Sequence, residues 1–226
     1  VVIAGGGDEL APITTHVYRQ ARALSGQRGG PEWSSPYDRA RNGVVLGEGA
    51  AMLVLERRGH AIRRGAHAYA VLESAAAAAF PAAPYSWPPP AVGGALELVP
   101  TLRALDHTER PLDLILGSAS SAAALDATEL AIIKAIVAGS AETAPWLTSI
   151  KGATGEFGAA GALTTIPAAL ALDRQKVPPL CALERGEDCH RVRYAPRAAI
   201  DADIERALVL GLARGGACTA LTLRRA

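Results

Sequence analysis

The 226-residue chain is half hydrophobic and carries 23 basic against 22 acidic residues, a formal net charge of +1. A chain of this size buries one large or two small cores, and its balanced charge gives no long-range attraction to nucleic acid or an acidic membrane. No apolar run reaches the ~18 to 20 residues that cross a bilayer, and no basic-then-apolar leader with a cleavage site is present.

The arginine pairs Arg57-Arg58, Arg63-Arg64 and Arg224-Arg225 read as solvated faces rather than a binding stripe. Cys181, Cys189 and Cys218 form neither an even disulfide set nor a close-spaced metal motif. Cys181 and Cys189 are near enough to pair or ligate, but only His190 accompanies them. The expectation is free thiols in a reducing compartment, the cytosol, with no metal and no cofactor.

In chain order, strand-like and helix-like segments alternate, the pattern of an α/β fold. Val1 to Gly6 reads as a buried strand without a preceding turn or cap, which points to a sequence neighbour lying elsewhere. Pro12 suits the first turn of a helix over residues 13 to 24, and Gly26 can stop it. Residues 44 to 55 form an apolar strand interrupted by Gly47-Glu48-Gly49, and a further strand covers about 68 to 74. A boundary near residue 70 divides the chain into 1–70 and 71–226. Pro81 to Pro90, with five prolines and two aromatics, favours an extended surface loop.

Leu112 to Gly117 reads as a short buried strand. Asp126 and Glu129 have the spacing of a capping box for a helix running to about residue 138, the aspartate accepting from exposed backbone N–H groups. Leu147 to Ile150 gives another strand, Ala159 to Gln175 a small-residue helix carrying Pro167, and Ala207–Leu212 with Cys218–Leu223 a terminal hairpin. No period of 20 to 50 residues stands out, which argues against a solenoid.

Four ordered stretches carry a family resemblance. They are Ser34-Ser35-Pro36-Tyr37-Asp38-Arg39-Ala40-Arg41-Asn42-Gly43-Val44-Val45-Leu46-Gly47-Glu48-Gly49-Ala50, Gly117 to Ser121 with Asp126 and Glu129, Ser149 to Gly161, and the Gly215-Gly216 turn. Together they resemble the β-ketoacyl synthase (condensing enzyme) family; the first matches its "RPFDxxRDGFVLGEGA" stretch at most positions. The resemblance implies a thiolase-like fold, two similar βαβ halves stacked as five α-β-α-β-α layers with mixed sheets. This chain would supply the end of the first half and all of the second. It also implies chemistry by one Cys, two His and a Lys, with the Cys placed before the segment that matches Val1 to Gly7.

The frames survive while the proton-handling groups are missing. In the frame "HGTSTPxxDxxE", Ser118 stands in the histidine place, and a hydroxyl cannot take up a proton near neutral pH as imidazole does. In "KSxTGHxxGAAG", Lys151 is kept, but Glu156 stands where the second histidine belongs and the stretch before Gly158 is one residue short. A carboxylate there would repel a developing oxyanion, and the deletion would turn the next helix by ~100°. An alternative alignment deletes the histidine itself. Lys151 has an ordering role as its first reading, paired with Glu129 or Glu156.

At the turn written "GFGGxN", Arg214 takes the place of the gating phenylalanine and Cys218 that of the asparagine. Arginine cannot be an apolar gate to an acyl pocket, and Cys218 reads as a small core residue rather than a relocated nucleophile. The histidines, His16, His60, His67, His107 and His190, fall in no family frame and read as surface or capping residues. No G-x-S-x-G elbow supports an unrelated triad.

The expected role is a non-catalytic subunit similar to the chain-length factors of type II polyketide systems. Such a subunit pairs with an active ketosynthase, shapes a shared acyl tunnel and works with acyl carrier protein. Its catalytic set is empty: Ser118, Lys151 and Glu156 are degenerate positions, Glu129, Asp126, Gly47, Glu48, Gly49, Gly215 and Gly216 order the site, and Arg214 holds the gate position. The alternative is an active synthase whose Cys comes from a separate chain holding the missing N-terminal half; a third option is a remnant with no acyl-related role. Alone, the chain is expected to expose an apolar face, and to aggregate or be recruited into a complex.

Overall fold

The computed structural model describes residues 1–79, 82–83, 100, 110–138 and 144–226. Apart from Ala82 and Ala83, the proline-rich stretch expected as a surface loop lies outside the described residues, as does His107.

The largest element is a six-stranded mixed sheet in the order β3 (Val71–Ala79), β10 (Ala217–Arg224), β9 (Arg206–Leu212), β4 (Leu114–Leu116), β5 (Trp146–Thr148) and β7 (Arg193–Tyr194). The first three strands run antiparallel and β9, β4, β5 and β7 parallel. The parallel centre is apolar along its length, as strands covered on both faces must be: Leu114, Ile115, Leu116, Leu147, Ala207, Leu208, Val209 and Leu210 are all buried. The terminal hairpin β9–β10 matches its expectation closely.

Two long helices serve this sheet. α3 (Ala123–Val137) buries Leu125, Leu130, Ile132, Ile133 and Val137, and also Asp126, Thr128 and Glu129. α5 (Ala160–Arg174) touches β9, β4 and β10 on one side and β1 (Val2–Asp8) and β2 (Gly49–Leu55) on the other. Its small residues allow that double contact: a Cβ on Gly6 of β1 would lie 3.1 Å from Ala159 Cβ. Pro167 sits inside α5, where it removes one backbone donor. Gln175 ends the helix in the left-handed region, its side chain donating to Leu172 O and Ile204 O and accepting from Ile204 N. β6 (Lys176–Val177) and β8 (Ile200–Asp201) form a minor antiparallel pair.

Several boundaries differ from expectation. α1 (Pro12–Gln20) begins at Pro12 but stops before residue 24, because Arg22 has φ 51° and breaks the helix ahead of Gly26. The strand expected from residue 44 begins only at Gly49; Val44 and Leu46 make isolated bridges to Leu24 and Glu156. The strand expected at 68–74 is β3 and reaches Ala79. The Arg57–Arg64 stretch contains a short helix, α2 (Arg58–Arg63), fastened by Glu56, which accepts from both Arg64 and His60. Arg64 first, then His60, holds the Glu56 carboxyl down at about 2.

The expected burial of the first strand is corrected. β1 pairs with β2 in register from Val2↔Leu55 to Asp8↔Gly49, and this ribbon pairs with no third strand among the described residues. Val1 is 78% exposed, Val2 60%, Ile3 70%, Met52 60% and Val54 63%. Each such side chain forgoes roughly 1.5–3 kcal/mol of burial, so the ribbon has an uncovered apolar face.

The backbone approach at Gly47 tolerates no side chain: a Cβ there would lie 2.0 Å from Thr154 O. Gly47→Ala is therefore expected to cost about 3 kcal/mol. Gly161→Ala, inside α5 with nothing within 4 Å, should be neutral or mildly stabilising. Denaturant midpoints of the two variants measured side by side would refute this packing if they fell together.

Candidate functional site

The site forms where parallel strands β4 and β5 end, the place where open α/β sheets present side chains for ligands. Gly117 N donates to Thr148 O at 2.8 Å, extending the ladder one residue beyond β4. Past that bond the two chains diverge into the loop Ser118–Ala122 and into Ser149–Ile150, which leads to the one-turn helix α4 (Lys151–Thr154). Ser149 Oγ donates to Ala119 O at 2.6 Å and ties the two loops.

The loop after β4 has backbone N–H groups with no strand partner, and α3 supplies the acceptors. Glu129 Oε1 accepts from Ser118 N at 2.6 Å, while Oε2 accepts from Ala119 N at 2.8 Å and from the Tyr37 hydroxyl at 2.7 Å. Asp126 accepts from Ser120 N at 3.0 Å and Tyr37 N at 2.9 Å. The capping-box reading is thereby corrected. The helix starts at Ala123 behind Ala122, which caps nothing with its side chain, so Asp126 and Glu129 lie inside the helix and face the neighbouring loops. Three-residue spacing alone does not distinguish these arrangements.

Burial raises the Asp126 carboxyl to about 7 against the pull of Tyr37 N–H, Arg41 and Ser120 N–H. Arg41 Nε lies 3.6 Å from Asp126 Oδ2, too far for a hydrogen bond, so its help is Coulombic. Burial also raises Glu129, opposed by Ser118 N–H, the Tyr37 hydroxyl and Lys151. Tyr37 itself is fully buried with φ 63°, and burial, then Glu129, pushes its phenol well above 10.

Lys151 and Glu156 form the second half of the site. Lys151 Nζ donates to Ser118 Oγ at 3.2 Å and lies 2.8 Å from Glu156 Oε2. Glu156 Oε2 takes no directed hydrogen bond despite that distance, so the pair is held by charge. Of the two partners open to Lys151 in sequence, the ion pair is with Glu156. Glu156 is positioned by backbone exchange with the residues before β2: its N donates to Val45 O at 2.8 Å and its O accepts from Gly47 N at 3.0 Å.

The remaining sequence candidates lie around this centre. Glu48 Oε2 accepts from Leu10 N at 2.9 Å, and a Cβ on Gly49 would meet the Phe157 ring at 3.3 Å. Gly215 and Gly216, with φ 81° and 92°, make the β9–β10 turn, and the Arg214 guanidinium stacks 4.4 Å above the centre of the Tyr18 ring. Burial raises the Tyr18 phenol, Arg214 opposes this, and Glu156 and Asp8 add to it. Cys218 is buried, and burial, followed by Glu129, pushes its thiol up to about 11, so it stays protonated at neutral pH. Cys181, Cys189 and Cys218 are all free, and the described residues hold no cluster of His, Cys, Asp and Glu fit for a metal.

Chemically, the centre offers a hydroxyl, an ammonium and carboxylates, and no imidazole among the described residues. The four histidines among the described residues, His16, His60, His67 and His190, are all exposed. His60 and His67 are engaged by Glu56 and Asp173. Tyr37 and Tyr18 are the site residues that the sequence does not announce. Tyr37 sits in a matched stretch but carries no family role, and nothing in the spacing links Tyr18 to Arg214.

This α/β sheet, with the double loop at its strand ends, is the scaffold of a known family: the chain belongs to the β-ketoacyl synthase family. The family's "Beta-ketoacyl synthase, C-terminal domain" matches residues 69–184 and its N-terminal domain residues 1–61. Similar chains include a putative polyketide beta-ketoacyl synthase 1 of Streptomyces cyaneus, 35% identical over 99% of this chain and 53% of its own length. Another is the tetracenomycin polyketide synthase ketoacyl synthase alpha subunit of Streptomyces glaucescens, 32% identical over 100% of this chain and 53% of its own. Among solved structures, the ishigamide ketosynthase/chain length factor superposes with a TM-score of 0.85 at 26% identity, covering 99% of this chain and 53% of that one. The thiolase-like α/β fold is thus the fold of this chain, which spans about half the length of the curated relatives it matches.

The raised Asp126 carboxyl has a definite sign. A carboxyl that holds its proton more tightly folded than unfolded stabilises fully below its ordinary value near 3.8, and this contribution is lost as pH rises through about 7. Glu129, also raised, acts in the same direction. Asp126→Asn should therefore flatten the loss of stability between pH 5 and pH 8 by on the order of 2 kcal/mol. Parallel pH curves for variant and wild type in urea unfolding would contradict it.

Proposed function

We propose that this chain is a non-catalytic, chain-length-factor-like member of the family, one that pairs with an active ketosynthase and helps shape the acyl tunnel. The observation that carries the reading is the closed Ser118–Lys151–Glu156 contact. The lysine's charge is met by a carboxylate where the family frame has a histidine, and no described histidine reaches it. An anion placed there disfavours the enolate and oxyanion of a decarboxylative condensation.

The division near residue 70 is supported by the two family matches, which end at 61 and resume at 69. The uncovered apolar face of β1–β2 supports a protein partner there. The rest of an N-terminal half, in the same or a separate chain, fits that face. The catalytic ketosynthase is the proposed heterodimer partner, with acyl carrier protein delivering thioesters to the pair. No helix among the described residues is long and apolar enough to cross a membrane, and three free thiols support a reducing, cytosolic setting.

The likeness to a ketoacyl synthase alpha subunit favours a second reading, an active synthase completed by a nucleophilic Cys from elsewhere. Native mass spectrometry of the protein purified from its host, followed by thioester condensation assays on the complex, separates the two. On the first reading a Cys-bearing ketosynthase accompanies the chain one to one, and Lys151→Ala and Ser118→Ala leave condensation within about twofold. On the second, either variant loses ~10²- to 10⁴-fold. A soluble monomer without companions would remove the first reading.

A further inference from the structure

Lys151 is paired with Glu156, and its Nζ also donates to Ser118, the residue whose N–H Glu129 accepts. The lysine charge is among the groups that oppose the burial-driven rise of the Glu129 carboxyl. What differs is the other company each carboxylate keeps. Both Glu129 oxygens are occupied, Oε1 by Ser118 N–H and Oε2 by Ala119 N–H and the Tyr37 hydroxyl. Glu156 takes no directed hydrogen bond at Oε2 and is held through its backbone.

We propose that Tyr37 and Glu156 jointly decide which carboxylate serves Lys151. The Tyr37 hydroxyl keeps Glu129 on the amides of the Ser118 loop, and Glu156 takes up the lysine that Glu129 would otherwise draw. Tyr37 is a positioning residue and Glu156 the counter-ion, so either alone suffices to keep the loop in place and only the loss of both releases it.

Tyr37 is held through its backbone, its ring and its hydroxyl, which donates to Glu129. Its N–H donates to Asp126, its carbonyl accepts from Glu187 N at 3.0 Å, and its ring packs 5.9 Å from that of Tyr194. A Cβ on Gly117 would lie 1.8 Å from its hydroxyl oxygen, so the glycine there is what lets the phenol reach Glu129. A buried ammonium without a counter-ion is destabilising, so the loss of Glu156 sets the pull of Lys151 on Glu129 against the hold of the Tyr37 hydroxyl. Besides Lys151 and Tyr37, the charged or titratable groups around Glu129 and its partners are Glu156, Asp126, Arg41, Tyr194 and Cys218. Of these only Arg41 is cationic, and it faces Asp126.

The inference concerns the buried network and holds whether or not the chain-length reading does. Hydrogen exchange of the full chain, purified with whatever chains accompany it, reads the Glu129 position directly through the Ser118 and Ala119 amides. Tyr37→Phe and Glu156→Gln should each leave those two amides protected relative to Leu114–Leu116 in β4. The double variant should expose them roughly tenfold or more, as Glu129 moves to Lys151. Adding Lys151→Met to the double variant should restore protection, a rescue that general loosening of the fold cannot produce. The proposal fails if Glu156→Gln alone exposes the amides as fully as the double variant. It also fails if the double variant leaves them protected, if exposure extends equally to β4, or if Lys151→Met gives no rescue.

Discussion

The structure around the site depends on two buried carboxylates that serve as acceptors for backbone no sheet or helix can satisfy. Where β4 ends, three successive amides point into the protein, and a fourth belongs to Tyr37 on a separate segment. An unpaired buried amide costs about 1–3 kcal/mol, so without Asp126 and Glu129 the loop would not hold its course. The constraint explains the strain it sustains: Tyr37 and Ser121, both buried, have φ 63° and 71°, a region side-chain-bearing residues seldom adopt. It also explains why α3 tolerates two acidic side chains on its buried surface.

The carboxylates of Asp126 and Glu129 secure backbone, while Ser118 and Glu156 meet the Lys151 ammonium. A hydroxyl and a carboxylate around one ammonium make a neutralised cluster with its polar groups turned toward each other. Such a cluster is compatible with a buried location and poorly suited to stabilising new negative charge. The Cys218 thiol is kept protonated by burial and by Glu129.

Around this centre the molecule is layered, with α5 between the six-stranded sheet and the β1–β2 ribbon. Small residues on that helix and glycine in β1 let the ribbon approach closely, and the site's Glu156 is attached to the run leading into β2. The ribbon is therefore part of the site's support while its other face remains apolar and exposed.

The sequence by itself determined the parallel centre of the sheet, the terminal hairpin and the family frames, because continuous apolar runs, glycine turns and ordered motifs are local properties. It placed Ser118, Lys151, Asp126 and Glu129 as site residues, though not the direction in which the acidic pair on α3 faces. A three-residue spacing fits both a helix cap and a helix interior, and only the start of α3 at Ala123 separates them. The choice of Glu156 for Lys151, the hydroxyl of Tyr37 on Glu129 and the stack of Arg214 on Tyr18 were decided by tertiary structure. The Tyr37 and Arg214 contacts join segments far apart in sequence, while the Lys151–Glu156 pair, close in sequence, depends on the turn at Gly155 that ends α4. The exposure of β1 was decided there as well, since an apolar strand looks the same in sequence whether or not a third strand covers it.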